Sequence, residues 1–177
     1  MLARLSHPDP GGILSRSDLE RRLNALLAAH GPSLERVAGS YARDFAERED
    51  LFQEIVVAIW RALPGFRGEC SERTFVFRIA HNRGITQIAR HRLEMATLTD
   101  DLELVDAKPS PEQTLSTEQQ ERRLMESVQR LSIAYRQVVT MALEGMTYSE
   151  IADVLGITES NVGARLTRAR QLLRNLL

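Results

Sequence analysis

The sequence has few of the residues that build disulfides, metal clusters or β-sheets. Its 177 residues include a single cysteine, and only 5% of them are aromatic. One cysteine excludes an internal disulfide and a cysteine-cluster zinc site, and it fits a reduced, cytosolic protein. No alternating run rich in Val, Ile, Thr and Tyr is present, which favours an all-α fold over a sheet.

The sequence also lacks the apolar segments that a membrane or an export signal requires. Pro8 and Pro10, followed by Gly11 and Gly12, lie where a signal peptide carries its apolar core. No apolar run is long enough to cross a bilayer. Hydrophobic residues still make up 43% of the chain, enough for one or two modest helical cores. We therefore expect a cytoplasmic protein without membrane insertion.

The net charge of −1 hides a strong segregation of charge along the chain. Residues 64–92 and 165–174 are rich in arginine, whereas residues 100–118 carry six acids against one lysine. Two basic surfaces separated by an acidic spacer predict two separate contacts with a polyanion such as nucleic acid.

Helix signals predict a four-helix bundle over residues 17–94. A capping box at Ser17–Glu20 predicts the first helix start, and Gly31-Pro32 predicts its end. Further helices are predicted from Ser33, from near Glu49 and over residues 71–93. The last of these is expected to bury Phe75, Ile79, Ile88, Ala89 and Leu93. Its central Gly84 costs about 1 kcal/mol relative to Ala and would permit a local distortion there.

The regions outside this bundle predict a tail, a linker and a second helical domain. Residues 1–16 are rich in Pro and Gly and are expected to be flexible. Residues 95–116 lose helical periodicity and gain acids, Pro109 and Pro111, which is typical of a linker. Helical periodicity resumes at Thr117 and continues to the end of the chain at residue 177.

The end of the chain carries a helix-turn-helix pattern. Thr147 and Glu150 form a capping box for a brief helix, Gly156 takes the turn, and Thr158 caps the last helix. The alternative is an ordinary helical hairpin with Gly at its turn, although an arginine-rich outer face disfavours it. The outward face of the last helix carries Ser160, Asn161, Ala164, Arg165 and Arg168.

The helix predicted over residues 71–93 combines arginines with aromatic and amide side chains. It carries Arg73, Arg78, Arg83, Arg90 and Arg92, interleaved with Phe75, Phe77, His81 and Asn82. Arginines follow phosphates, and a polar pocket beside aromatics can hold an unstacked base. The alternative is that both phenylalanines are core and the arginines a solvated face. His81 and His91 lack partners at metal-ligand spacing, so we expect them at the surface.

Two sets of motifs resemble a known family. Residues 49–54, 66–69 and 73–83 resemble conserved region 2 of sigma factors, and residues 146–157 with 165–170 resemble region 4. Together they are similar to the extracytoplasmic-function group of the sigma-70 family. The resemblance implies an all-α protein with a region 2 domain over 17–94 and a region 4 domain over 117–177, joined by a flexible linker.

The resemblance also implies partners and site residues. Core RNA polymerase is expected to bind Asp50, Leu51, Gln53 and Glu54. The −10 promoter element is expected at Arg73, Arg78, Asn82, Arg83 and Arg90, with Asn82 capturing a flipped base. The −35 element is expected at Thr158, Ser160, Asn161, Ala164, Arg165 and Arg168. A regulator, commonly an anti-sigma factor, is implied, whereas no catalytic residue, cofactor or metal is.

Some positions depart from the family pattern, and two other functions stay open. Ser132 stands where Pro is usual, and Gly163 and Ala164 stand where a basic residue is frequent, so the promoter preferences of the family are not assigned to this chain.

A sigma mimic that binds an anti-sigma protein is one alternative function, and a repressor that uses only the C-terminal motif is another. An enzyme is disfavoured, since no paired catalytic constellation or phosphate-binding glycine loop appears.

Overall fold

A computed structural model describes residues 15–98 and 117–176, and all regular structure within these ranges is helical. The elements are α1 (Arg16–Tyr41), α2 (Phe45–Ala62), a 3-10 turn (Leu63–Gly65), α3 (Glu72–Leu98), α4 (Thr117–Gln129), α5 (Ile133–Leu143), α6 (Tyr148–Leu155) and α7 (Glu159–Arg174). The predicted all-α class is confirmed. Residues 1–14 of the predicted tail and 99–116 of the predicted linker lie outside the described residues. No helix in the described part of the chain combines the length and apolarity needed to cross a membrane.

The first helix continues through the break that the sequence predicts. α1 runs for 26 residues across Gly31 and Pro32, so the expected pair of helices is one helix and the predicted count of four is wrong. Proline inside a helix costs about 3 kcal/mol. Leu26 before the proline and Leu34 after it are both buried in the same core, and this shared burial outweighs the local cost. The capping box is also displaced, to Ser15 and Asp18.

The buried face of α3 is rotated from the predicted one. Ala89 is exposed, Leu93 is 68% exposed, and Phe75 is only half-buried, where its ring stacks on Phe66 at 4.3 Å between centroids. The fully buried residues are instead Val76, Phe77, Ala80 and His81. α3 also extends to Leu98, so the first four residues of the predicted linker are helical.

Gly84 is the point of closest approach between α1 and α3. A Cβ atom at this position would lie 2.3 Å from Cδ2 of Tyr41, well inside contact distance. α3 stays a regular α-helix through Gly84, so the distortion that this glycine would permit is not used. The glycine is needed because the Tyr41 ring occupies the space of a side chain.

The helix-turn-helix forms as predicted from its local signals. Thr147 and Glu150 make a complete capping box at the start of α6. Gly156 ends α6 in the left-handed conformation at φ 65°, and the Ile157 N–H donates to the carbonyl of Ala152 at 3.1 Å. Thr158 caps α7 by accepting from the N–H of Asn161 at 3.2 Å. α7 therefore begins directly after the turn.

The helices α4–α7 pack against the bundle of α1–α3. α6 lies on α3, and α4 lies on α1. Gln129 at the end of α4 donates from Nε2 to the carbonyl oxygens of Gly39 at 2.8 Å and Ala42 at 2.9 Å. These carbonyls lie at the C-terminal end of α1, where the helix supplies no partners of its own. The side-chain amide of α4 thus completes the last turn of α1.

We predict that Gly84→Ala lowers the free energy of unfolding by up to about 2 kcal/mol. Helix propensity alone would raise it by about 1 kcal/mol, but overpacking against Tyr41 costs about 1–3 kcal/mol. Urea unfolding measures the difference. Gly163→Ala is the matched control, since a Cβ atom there meets Tyr148 at an ordinary 3.5 Å, and it should be neutral or stabilising. A stabilised Gly84→Ala protein would contradict the close packing.

Candidate nucleic-acid and protein interfaces

A polar groove lies between α2 and α3, and we name it the α2–α3 groove. The groove has a volume of about 590 Å³. Polar and charged side chains of both helices line it: Asp50, Gln53, Glu54, Val57 and Arg61 on α2, and Arg83, Gln87 and Arg90 on α3. Asp44 caps α2 by accepting from the N–H of Glu47 at 2.9 Å. The spacing of the α2 residues puts them on one face of the helix, while Ile55 and Ile59 are buried on the other.

The groove contains three of the four side chains predicted to contact a protein partner. Asp50 and Gln53 are exposed, and Glu54 is half-buried. Leu51 is 1% exposed and packs in the core, so its expected role as a surface contact is wrong. Arg61 and Gln87 were not singled out from the sequence. The helical repeat from Asp50 through Glu54 and Val57 to Arg61 was the available signal.

The arginines of α3 separate onto two faces of the helix. Arg83 and Arg90 line the α2–α3 groove, and Nη1 of Arg90 lies 3.1 Å from Oε1 of Glu54. Arg73 and Arg78 instead face the helices α5 and α6. The five residues predicted to contact the −10 element therefore do not form one continuous surface in this structure.

A second cavity, the α3–α6 cavity, lies between the two groups of helices. The cavity has a volume of about 280 Å³. Residues of α3 line one side of it, and residues of α5, α6 and the start of α7 line the other: Arg78, His81, Asn82 and Ile85 on the first side, and Gln137, Val154, Leu155, Ile157 and Arg165 on the second. Asn82 and Arg165 were predicted to contact two different DNA elements. The structure brings both side chains to the same cavity.

Arg73 and Arg78 are bound by protein groups. Nη2 of Arg78 donates to the carbonyl oxygen of Asp153 at 2.6 Å. Nη2 of Arg73 donates to the carbonyl oxygen of Glu144, and its Nη1 lies 3.8 Å from Oε1 of Glu150. These two arginines consequently hold the region around α6 against α3.

A buried Tyr–His pair supports α3 next to Asn82. The Tyr41 hydroxyl lies 2.8 Å from Nδ1 of His81, and the two rings meet edge to face. Burial lowers the pKa of His81 to about 3 and raises the pKa of Tyr41. The neutral imidazole can therefore accept from the tyrosine hydroxyl. His81 is 1% exposed, so the expectation of a surface histidine is wrong.

The exposed face of α7 carries most of the predicted −35 residues. Ser160, Asn161, Ala164 and Arg168 are exposed, while Arg165 is half-buried at the α3–α6 cavity. Thr158 acts as the N-cap, so its hydroxyl is already bonded to the start of α7. A helix N-terminus with short polar side chains followed by arginines can enter a major groove and contact base edges and phosphates.

Family models match both groups of helices. Residues 26–94 match the model for sigma-70 region 2. Residues 121–173 match the model for sigma-70 region 4. The two matches together cover most of the bundle of α1–α3 and the helix-turn-helix.

Individual relatives extend over most of the chain. The RNA polymerase sigma factor NccH of Alcaligenes xylosoxydans xylosoxydans is 32% identical, with 86% of this chain and 84% of the relative covered. CnrH of Cupriavidus metallidurans is also 32% identical, covering 89% and 87%. The structure of CnrH in complex with the cytosolic domain of CnrY matches with a TM-score of 0.63 at 27% identity, covering 89% and 88%. The sigma factor RpoE of Bartonella quintana, in complex with the anti-sigma factor NepR, shares the fold at a TM-score of 0.67 and 23% identity, covering 90% and 96%.

We predict that His81 makes the protein less stable as the pH falls below 6.5. Its folded-state pKa of about 3 lies below the unfolded value of 6.5, so the unfolded chain binds the extra proton between these values. The free energy of unfolding should fall by up to about 1.4 kcal/mol per pH unit in this window. Urea unfolding at pH 7.0, 6.0 and 5.0 should show a smaller dependence of the free energy of unfolding on pH for His81→Gln than for the wild-type protein. Equal slopes in wild type and His81→Gln would refute the effect.

Proposed function

Because this chain belongs to the extracytoplasmic-function group of the sigma-70 family, we propose that it binds core RNA polymerase and directs it to promoters through two DNA contacts. The family consists of transcription initiation factors, not enzymes. The observation that carries the proposal is the combination, in one chain, of a charged groove on α2 and α3 with a helix-turn-helix whose arginine-bearing face is exposed. We assign the region 2 domain to residues 17–94, the linker to 95–116 and the region 4 domain to 117–177.

The polymerase contact is assigned to the α2–α3 groove. Asp50 and Gln53 are exposed there and offer a carboxylate and an amide to a basic, hydrogen-bonding partner. Glu54 already pairs with Arg90, which orients the carboxylate. The position of Arg83 and Arg90 in this groove favours a contact with the polymerase over the contact with DNA that the resemblance implies. Leu51 supports the groove from the core.

The −10 contact is assigned to the other face of α3. Arg73 and Arg78 supply positive charge for the phosphates of a separated strand, and exposed Asn82 supplies an amide that can bond the edge of an unstacked base. Base capture of this kind favours strand separation through binding energy alone. The neutral His81 and the Tyr41 hydroxyl hold α3 in place behind Asn82.

The −35 contact is assigned to the exposed start of α7. Ser160, Asn161, Arg165 and Arg168 lie on the first three turns after the cap, the part of a recognition helix that enters the major groove. Arginine can bond guanine bidentately, and asparagine can bond adenine. Ala164 supplies an apolar contact and Thr158 the cap.

A regulatory partner is part of the proposal. CnrH is described in complex with the cytosolic domain of CnrY, and RpoE with the anti-sigma factor NepR. We propose that an anti-sigma factor or another regulator also binds this chain, in the cytoplasm where polymerase and promoters meet. The test of the whole proposal is transcription from genomic DNA by core polymerase supplemented with this protein, with start sites sequenced. Absence of new start sites would refute the initiation function, and binding to an anti-sigma protein without binding to polymerase would favour the sigma-mimic alternative.

We predict that Asp50→Ala weakens binding to core polymerase by about tenfold. The variant removes one exposed carboxylate, and a hydrogen bond to a charged group contributes about 1.5–3 kcal/mol. Fluorescence anisotropy of labelled protein titrated with core polymerase measures the change. Glu49→Ala is the control, because Glu49 is an exposed neighbour that does not line the groove. Equal affinities of the two variants would remove the groove from the polymerase interface.

We predict that Asn82→Ala and Arg165→Ala each reduce initiation at the mapped start sites by about tenfold or more without weakening polymerase binding. Loss of a specific base contact costs about 1–3 kcal/mol. In vitro transcription gives the initiation rate, and anisotropy gives polymerase affinity. Gln171→Ala, an exposed change further along α7, should leave both unchanged. Full activity of both variants would show that these side chains do not read the promoter.

A further inference from the structure

We propose that this protein has a binding site for a small phosphate monoester, in a pocket that we name the arginine pocket. The pocket lies at the C-terminal end of α1 and has a volume of about 550 Å³, a size typical of small-ligand sites. None of its residues is assigned above to polymerase or DNA. Residues of α1, α3, α4 and α5 and of the turn after α1 line it: Tyr41, Ala42, Arg43, Ile88, His91, Arg92, Gln129 and Arg136.

The lining of the arginine pocket is positively charged and contains no carboxylate. Glu47, which lies outside the lining, balances one side of it. Its Oε1 is 2.7 Å from Nε of Arg43 and 3.4 Å from Nε2 of His91. Among the side chains that the structure describes, no carboxylate forms an ion pair with Arg92 or Arg136. The uncompensated charge of the pocket therefore lies at these two arginines.

The guanidinium group of Arg136 is held in a fixed orientation. Its Nη2 donates to the backbone carbonyl oxygens of Gln129 and Leu131, the second at 3.2 Å. Its Cζ lies 5.6 Å from the centre of the Tyr41 ring. Its Nε is buried and donates to no group of the described residues. Because buried N–H groups nearly always have an acceptor, this oriented donor calls for an acceptor that the described chain does not supply.

Arg92 and Arg136 lie on the same pocket and repel each other. Burial lowers the pKa of the Arg136 guanidinium, and the positive charge of Arg92 lowers it further. An anion between two such groups removes the repulsion. A phosphate monoester carries a charge of about −1.5 to −2 at pH 7 and balances both arginines, whereas a carboxylate balances one. The planar guanidinium also matches the oxygens of a phosphate in a bidentate geometry.

The rest of the pocket fits the organic part of such a ligand. Ala42 and Ile88 supply apolar contacts beside the charged groups. Gln129 uses its Nε2 to donate to two carbonyl oxygens of the α1 end, so its Oε1 remains as an acceptor for a hydroxyl of the ligand. Apolar walls with a few polar groups are typical of sites for small organic molecules. We therefore expect a phosphate ester to bind more tightly than inorganic phosphate.

The first test is isothermal titration calorimetry of the full chain with adenosine 5′-monophosphate at low ionic strength. Arg92→Gln changes an exposed side chain and should weaken binding by about tenfold or more, because a hydrogen bond to a charged group is lost. Arg130→Gln is the matched control, since it removes the same charge at an exposed position outside the pocket. The control should change the affinity by less than about twofold. Equal weakening by both variants, or no binding to the wild-type chain, would overturn the proposal.

Three further titrations identify the part of the ligand that is bound. Inorganic phosphate should bind more weakly than the monophosphate, and adenosine, which lacks the phosphate, should give no measurable heat. Adenosine that binds as tightly as the monophosphate would refute an anion site. The third ligand is a short single-stranded DNA of mixed sequence. If Arg92→Gln weakens DNA binding while the wild-type chain does not bind the monophosphate, the pocket belongs to a nucleic-acid surface and the proposal is wrong.

The second test observes the buried donor itself. In a ¹H–¹⁵N spectrum of the wild-type chain, the Nε–H signal of Arg136 is assigned by its loss in Arg136→Lys. Addition of adenosine 5′-monophosphate should shift this signal, and addition of adenosine should not. Because the shift is measured on the wild-type chain, it does not depend on the stability of the variant. An unchanged signal at saturating monophosphate would exclude binding at Arg136. None of these results depends on whether the protein initiates transcription.

Discussion

The packing of Tyr41 against Gly84 is the contact on which the rest of the structure depends. The ring takes the place of a side chain on α3, and its hydroxyl meets Nδ1 of His81 one turn earlier. These two contacts set the rotation of α3 about its own axis. A bulkier residue at position 84 would force α1 and α3 apart, because a packed interior cannot absorb a Cβ atom at 2.3 Å.

The rotation of α3 determines which side chains serve which surface. With His81 and Gly84 turned inward, Arg83 and Arg90 lie over α2, whereas Arg78 and Asn82 face α6. One helix thereby contributes to two interfaces of different chemistry. The groove on the α2 side mixes acids, amides and arginines, and the other side combines arginines with a single exposed amide. A rotation of about 100°, the angle between successive helical residues, would turn either Arg83 or Asn82 into the core instead.

Several arginines of this protein are paired with nearby protein groups, so the local charge matters more than the net charge. A net charge of −1 is compatible with two nucleic-acid contacts because the arginines are grouped in the chain and grouped again in space. Two of them already contact the protein itself, since Arg73 lies 3.8 Å from the Glu150 carboxylate and Arg78 donates to the Asp153 carbonyl. The same groups that would attract DNA therefore first stabilise the contact between the two groups of helices.

By itself, the sequence determined the all-α class, the helix-turn-helix with its caps at Thr147 and Thr158, and the family. These features rest on local chemistry: a capping hydroxyl reaches a backbone N–H three residues away, and glycine takes a left-handed turn. Only the tertiary structure decided that α1 runs through Pro32, that Leu51 and His81 are buried, and that Glu144 meets Arg36. Each of these depends on residues distant in the chain, whose burial and pairing outweigh local preference. A short stretch of sequence does not contain both members of a pair such as Arg36 and Glu144.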